Sequence, residues 1–487
     1  MATSPSSASP ARAGGPFAAV TPEHRRALVE HLGPDAVRWD DDARERYGRD
    51  ETEDLWLPPD LVVLPRSRDD VMRVMALAHR ARLPVTPRGA GTGLSGGALP
   101  ARGGIALALE RLDRIRDIDL RNLTVEAETG VRLGALQAAV AAHGLAYPPD
   151  PGSRDTCQLG GTLAENSAGP RSCKYGTTRQ WVLGLEAVLA DGTPIDLGGG
   201  NRKDVAGYDL TQLLIGSEGT LAVLTAAVLR LIPRPRAAIT LLLPFPALDV
   251  AAAAVEMLFR RGCDPSACEL LDDASIACVR DWTDLPPALD GHRALLLVEL
   301  DGDDPDALLT RATQVDALAQ ALGGGETIAA VDAADQRRLW RIRSLVGKAV
   351  KARSVYKEAD AVVPRPRLAD LVRSARRVAE AHDLQAVCYG HAGDGNLHVN
   401  LLRGDLDDAQ WSQRRDAAEA ALFADVLALG GSITGEHGVG LTQRRFLADR
   451  IGGDGLDLMR AIKRAFDPRG ILNPDKIFPD AAADENP

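Results

Sequence analysis

No stretch of the chain approaches the roughly 18 uninterrupted apolar residues of a membrane-spanning helix; the nearest are short runs such as 251–255 (AAAAV). No bilayer span is therefore expected. The six cysteines, Cys157, Cys173, Cys263, Cys268, Cys278 and Cys388, form no CxxC pair and no framework of close spacings. That excludes a cysteine-ligated iron–sulfur cluster and suits a reducing cytoplasm. Dense Lys/Arg clusters are missing too, and the formal net charge is −11. Nucleic acid is not expected as a partner, because phosphate binding needs a concentrated basic surface. The first 20 residues hold one charged side chain, Arg12, and no long apolar core, so they read as a flexible tail rather than a signal peptide.

The 487 residues, 45% of them hydrophobic, exceed the roughly 250 to 300 at which a single core stops growing, so two domains are the default. Residues 60–65 (DLVVLP) and 83–87 (LPVTP) read as strands around an amphipathic helix over 67–81, with Val71, Val74, Met75 and Ala78 on one face. Further strands are expected over 104–109, 123–127 and 183–190, the last ending in the turn Asp191-Gly192. Pro233-Arg234-Pro235-Arg236 excludes regular structure and marks the candidate domain boundary. Beyond it, strand-like runs (239–243, 294–300) alternate with long helices (305–322, 366–382), the texture of an α+β domain. A helix over 456–466 then leads into a compact, turn-rich segment.

Gly91-Thr92-Gly93-Leu94-Ser95-Gly96 matches GxGxxG, a nucleotide-binding fingerprint when it joins a strand to a helix. Gly97 and Pro100 deny it that helix. A nest of glycine amides can still hold a diphosphate, although alone the loop reads as readily as a hairpin turn. A second region, Asp150 to Ser153 and Gly160 to Gly169, again combines glycines with small polar donors. Two such loops suit a large dinucleotide.

The most informative stretch is 388–402 (CYGHAGDGNLHVNLL), in which His391 and His398 bracket the turn Gly393-Asp394-Gly395. Asn396, His398 and Asn400 alternate with Leu397, Val399 and Leu401, which puts the polar set on one face of a strand. His391, ending the preceding strand, is then placed to share a cation with His398. Gly435-Glu436-His437-Gly438 offers a third ligand. Two histidines and a carboxylate leave coordination positions open, as a catalytic cation requires, and zinc, manganese and iron all accept them. The competing reading makes both histidines structural and Glu436-His437 a surface turn.

In combination, Pro87-Arg88-Gly89-Ala90-Gly91-Thr92-Gly93, 157–169, Tyr175-Gly176 and Gly216-Ser217-Glu218-Gly219-Thr220 resemble the FAD-linked oxidases of the vanillyl-alcohol oxidase fold, a likeness covering about residues 25–479. The resemblance implies a two-part FAD-binding domain with an α+β substrate (cap) domain. Tails are then expected at 1–22 and 480–487, the FAD domain at 23–235, the cap with its metal site at 236–440, and a segment returning to the FAD domain at 441–479. It further implies FAD held at its diphosphate by the first loop, Pro87 to Gly93 with Ser95. The isoalloxazine and ribityl would lie along Pro151, Gly152, Ser153, Cys157, Gly160, Gly161, Ala164, Asn166 and Gly169, with Tyr175 and Gly176. Gly219 to Leu224, including Val223, would lie near the adenine, and Glu218 and Asn473 complete the set. The first loop has no His to link the flavin, so FAD is expected to be non-covalent.

The same resemblance implies a divalent metal on His391, His398 and Glu436, with His437 as catalytic base. Within the family, the dehydrogenases acting on D-lactate, glycolate and D-2-hydroxyglutarate look nearest. The substrate carboxylate calls for a cation, preferably Arg for its bidentate geometry. Arg343 in 339–343 (LWRIR) matches the family position. Lys357 matches a second basic position of relatives acting on D-2-hydroxyglutarate, but Lys357-Glu358-Ala359-Asp360 departs from their pattern. The expected reaction turns a D-2-hydroxy acid into its 2-keto acid and passes electrons to a quinone, cytochrome or flavoprotein on another chain. That acceptor is also the expected tie of a cytoplasmic protein to a membrane, and a homodimer stays open. One alternative is a non-catalytic FAD subunit of a glycolate oxidase-like complex, against which the four metal-site residues argue. The other is an oxygen-using flavin oxidase of sugars or alcohols.

Overall fold

The computed structural model describes residues 16–480. In the first sheet, strand Ile105–Ala108 lies between Leu61–Val63 and Val85–Arg88 and runs parallel to both, with Val37–Arg38 antiparallel at the edge. The central strands are buried along their length, as a parallel sheet covered on both faces demands. Helix Arg68–Ala81 makes the crossover: the Ser67 side chain accepts from the Asp70 N–H as N-cap, and Val71, Val74, Met75 and Ala78 are buried as the spacing predicts. A second, antiparallel sheet follows in the order Ile115–Asp119, Thr124–Glu128, Val223–Arg230, Val182–Val188, Pro194–Gly198. Val188 and Val223 pair with each other and enter the core of the first sheet, fastening the two together. Ile471 and Leu472 enter that core as well, where Leu472 bridges Val85.

The third sheet has seven antiparallel strands in the order Ile328–Ala330, Ala237–Phe245, Ala294–Gly302, Ala267–Asp272, Gln385–Gly390, Asn396–Leu402, Tyr356–Val362. One face is packed by helices Leu248–Arg260, Pro305–Ala321, Leu368–Ala381 and Asp408–Ala428. The other carries helix Ala333–Arg353 and the short helix Asp273–Val279. The last two strands in the order turn polar side chains to this second face, Asn396, His398 and Asn400 from one and Glu358 and Asp360 from the other.

The GxGxxG segment forms bends and no helix, with Gly91 and Gly96 both at φ 74°. Three expectations need correction. Pro233-Arg234-Pro235-Arg236 does not exclude regular structure, since Ile232–Pro233 pairs with Leu145–Ala146 and the next strand opens at Ala237. The C-terminal helix begins at Leu447; Gly452, at φ 76° and ψ 165°, breaks it ahead of the part expected from the sequence. The expected tail at 1–22 lies outside the described residues up to 15, but Phe17 and Val20 pack on the first core and the Ala18 N–H donates to Arg82 O. Of the other tail, 481–487 lie outside the described residues and Asp480 is ion-paired with Arg444.

Candidate active site

Strand pairing assembles the polar cluster. In the register of Tyr356–Val362 against Asn396–Leu402, Glu358 faces Asn400 and Asp360 faces His398, while Lys357 is opposite Leu401 and Ala359 opposite Val399. Glu358 and Asp360 therefore share the site face with His398, since neighbouring residues on a strand point to opposite sides. The same alternation takes Lys357 out: it lies on the opposite face, under helix Asp408–Ala428, and pairs with Glu419 at 3.4 Å. That corrects the second basic position expected there. His391 follows the end of strand Gln385–Gly390, and Gly395, at φ 76°, closes the turn so that the two histidine rings lie 5.4 Å apart.

Glu436 comes from the loop after Ile433, and Asp360 holds that loop. Asp360 Oδ2 accepts from the Thr434 hydroxyl (2.8 Å) and from the N–H groups of Gly435 (2.7 Å), Glu436 (2.8 Å) and His437 (3.0 Å). Its Oδ1 accepts from the Asn396 amide at 2.7 Å. Glu436 Oε1 ends 3.3 Å from His391 Nε2, 3.5 Å from His398 Nε2 and 3.9 Å from His437 Nε2. Ligand atoms of His391, His398 and Glu436 all lie within 4.8 Å of one another, as do those of Glu358, His398 and His437.

Behind His391, Glu269 accepts from Nδ1 at 2.7 Å and from Arg343 Nε at 2.7 Å, and the Arg343 guanidinium lies 4.8 Å from the Tyr389 ring centroid. Arg343 is thus ion-paired at the site, not a solvated helix charge. Burial opposes ionisation throughout, yet the charges outweigh it. His391 is held up to about 10 by Glu269 and Glu436. Glu269 is held down to about 2 by His391 and Arg343, and Glu436 to about 2 chiefly by His391. Asp360 lies well below the usual carboxylate range, and His437 is raised by Asp360 and Glu358. With the imidazoles neutral, four carboxylates face a single guanidinium, and that excess of negative charge beside three imidazole nitrogens fits a divalent cation. Such an ion would compete with the imidazole protons.

The glycine loops of the N-terminal sheets line a narrow cleft. Pro87, Arg88 and Gly89 meet Gly160, Gly161 and Ala164 across it, with Glu218 and Gly219 at one side. Of the other expected FAD residues, Ala90, Gly91, Thr92 and Gly93 continue the first loop, Ser95 is buried beyond them, and Pro151, Gly152, Ser153 and Cys157 precede helix Leu159–Glu165. Asn166 ends that helix at φ 54° and accepts from the Thr177 hydroxyl and the Arg179 N–H. Gly169 passes so close to Asp150 that a Cβ would run into its carbonyl. Tyr175, just before Gly176, turns away and donates to Asp301 at 2.7 Å, while Val223 is buried in the first core. Asn473 donates to the carbonyls of Gly97 and Glu218.

The cleft also has Thr129 and the half-buried acid Glu165, which sequence reasoning missed. Buried polar atoms beside it, Ser95 Oγ, Gln158 Oε1 and Glu165 Oε2, have no hydrogen-bond partner. A glycine-walled cleft with unsatisfied polar groups fits a dinucleotide rich in donors and acceptors. The loop bearing Glu436 joins cleft and cluster. Glu218 accepts from the N–H groups of Val439 and Gly440, both at 2.7 Å, and Ser95 O accepts from Leu441.

Glu269, Glu358 and Asp360 were also missed by sequence reasoning. The alternation of acids with alanines over 358–361 is the signal that could have found two of them.

Compared with known proteins, residues 234–477 match the family described as FAD linked oxidases, C-terminal domain, and residues 59–198 match a FAD binding domain. The chain belongs to the FAD-linked oxidases. Glycolate oxidase subunit GlcD of Bacillus subtilis is 36% identical over 466 residues, 94% of this chain and 97% of the relative. D-lactate dehydrogenase of Archaeoglobus fulgidus is 36% identical over 442 residues, 89% and 95% of the two chains. Among solved structures, substrate-bound p-cresol methylhydroxylase superposes with a TM-score of 0.75 at 18% identity, over 93% of this chain and 95% of that one. An alkyldihydroxyacetonephosphate synthase gives 0.74 at 19%, over 94% and 85%. This FAD-linked oxidase therefore has the vanillyl-alcohol oxidase fold. Among its described residues no helix is long and apolar enough to cross a membrane.

Proposed function

We propose that this protein oxidises a D-2-hydroxy acid to the 2-keto acid at a divalent cation held by His391, His398 and Glu436. The convergence of those ligand atoms within 4.8 Å carries the reading. The relatives named glycolate oxidase subunit and D-lactate dehydrogenase point to the substrate class. Bound FAD would supply the acceptor for the hydride of the substrate's carbon 2, and a cation on His391, His398 and Glu436 would supply Lewis acidity at the alcohol oxygen. Residues 23–235 with 441–479 hold FAD, and 236–440 hold the acid.

Arg343, aimed by Glu269, pairs with the substrate carboxylate. His437 takes the hydroxyl proton at Nε2, the nitrogen turned to the centre. Loss of that proton and of the hydride together turns the alcohol into the ketone. Electrons then leave for a quinone, cytochrome or flavoprotein on another chain, in or at the edge of the cytoplasm. A non-catalytic FAD subunit would have no use for the buried histidine–carboxylate cluster.

A panel of D- and L-2-hydroxy acids with a dye acceptor tests the reading. Turnover confined to D-acids or glycolate is expected. His437→Ala should keep metal and FAD and lose turnover by about 10² or more, and Glu436→Ala should lose the metal as well. A rate near the wild type's in His437→Ala would overturn the base assignment.

A further inference from the structure

Each histidine of the centre turns Nε2 inward to Glu436 and Nδ1 outward to a carboxylate outside the proposed ligand set. Glu269 takes Nδ1 of His391 with one oxygen and Nε of Arg343 with the other. Glu358 faces the other two histidines with a single atom: its Oε1 lies 3.2 Å from Nδ1 of His398 and 3.7 Å from Nδ1 of His437, the second an ion-pair distance beyond hydrogen-bond length. Both Nδ1 atoms face this one oxygen because the rings stack 5.3 Å apart at 19°. Each proposed metal ligand histidine thus shares its backing carboxylate with a side chain that handles substrate.

From this geometry we propose that Glu358 is a positioning residue that fixes the tautomer and aim of His437 as proton acceptor and, through the same oxygen, of His398 as cation ligand. The inference rests on the reading of metal and base above. A neutral imidazole carries one N–H, and a carboxylate oxygen only accepts, so Glu358 draws that proton to Nδ1 and leaves the Nε2 lone pair facing the centre. Asp360 could compete for His437, but it is 4.0 Å away and its Oδ2 already accepts four hydrogen bonds. The His398 contact has the distance of a hydrogen bond without its angle, and Nδ1 of His398 is buried with no other partner. Glu358 is the acceptor that a small turn of that ring would satisfy.

The test compares Glu358→Gln, Glu358→Asp and Glu269→Gln with the wild-type holoenzyme. Bound metal per flavin, flavin absorbance, kcat and KM are measured on the best D-2-hydroxy acid. Glu358→Gln presents an amide whose N–H₂ can force the wrong tautomer. It should keep FAD and one cation per chain and lose about 10- to 100-fold in kcat, with KM little changed. Glu358→Asp restores the charge and should recover part of kcat. Glu269→Gln should instead raise KM, because Arg343 loses its aim.

Three results would each overturn the proposal. One is a fully loaded Glu358→Gln enzyme with kcat near the wild type's. Another is a Glu358→Gln protein that loses the cation as completely as Glu436→Ala, which would make Glu358 a ligand. The third is a wild-type enzyme with two cations per chain. If Glu358→Gln does not fold, a Glu358→Asp enzyme with KM raised and kcat intact refutes the role. Should His437→Ala itself retain turnover, the base reading fails, independently of Glu358.

Discussion

Replacing Asp360 by Asn changes only charge and donor pattern, yet it should loosen the loop that supplies Glu436 and His437. Oδ2 accepts three backbone N–H groups and one hydroxyl, and Oδ1 accepts the Asn396 amide. The amide lacks the charge that gathers four donors on one oxygen, and its N–H₂ turns a donor toward donors, so about two of the five hydrogen bonds are lost. Hydrogen bonds to a charged group contribute roughly 1.5 to 3 kcal/mol each, which sets about 3 to 6 kcal/mol if the loop stays fixed. Gly435 is exposed, so water can reach part of the loop. We therefore expect about 2 to 4 kcal/mol, or a fall in Tm of roughly 5 to 10 °C for a domain of the cap's size. Metal affinity should fall with it, because Glu436 loses its anchor while every proposed ligand remains. Calorimetry and metal analysis on the purified variant supply both readouts. An Asp360→Asn protein that melts within about 2 °C of the wild type with its metal intact would refute the claim that this carboxylate holds the loop.

Acid or heat precipitation should release FAD into the supernatant, since the first glycine loop, 87–97, has no His to link it; flavin that stays with the pellet would show a covalent link. Chelation should abolish turnover while the protein stays yellow, because the proposed cation ligands and the flavin cleft use different side chains, and an active enzyme without stoichiometric divalent metal would contradict it. Gly395→Ala should fold poorly: a left-handed non-glycine residue costs roughly 1 to 2 kcal/mol, and its Cβ would run into the Val363 carbonyl. A Gly395→Ala protein with normal Tm and metal content would argue against that turn geometry.

Much of this architecture is legible in the sequence because local patterns carry it. The apolar stripe of 71–78 places its helix, and 396–402 alternates so cleanly that its polar face can be read directly. Glu269 has no such signal: it sits inside the buried run Ala267–Asp272, and nothing near it says that it meets a histidine 122 residues away. Glu358 and Asp360 were within reach, since the period of two that places His398 also places them and sends Lys357 to the far side. At Lys357 the strand's period of two outweighs the motif match. Arg88 and Gly91 were legible as loop residues, but that the Arg88 guanidinium lies 5.5 Å from the Tyr47 ring centroid depends on packing no local pattern records.

The double anchorage of residues 434–441 has a thermodynamic corollary. Asp360 grips one end from the seven-stranded sheet, and Glu218 and Ser95 grip the other from the flavin side. Because Glu218 also lines the cleft, a dinucleotide that fixes this carboxylate fixes the loop that carries Glu436. Flavin and cation then favour each other by one common factor, whichever binds first. Flavin-stripped protein should need more metal for half-saturation, and metal-stripped protein more flavin, in equal proportion.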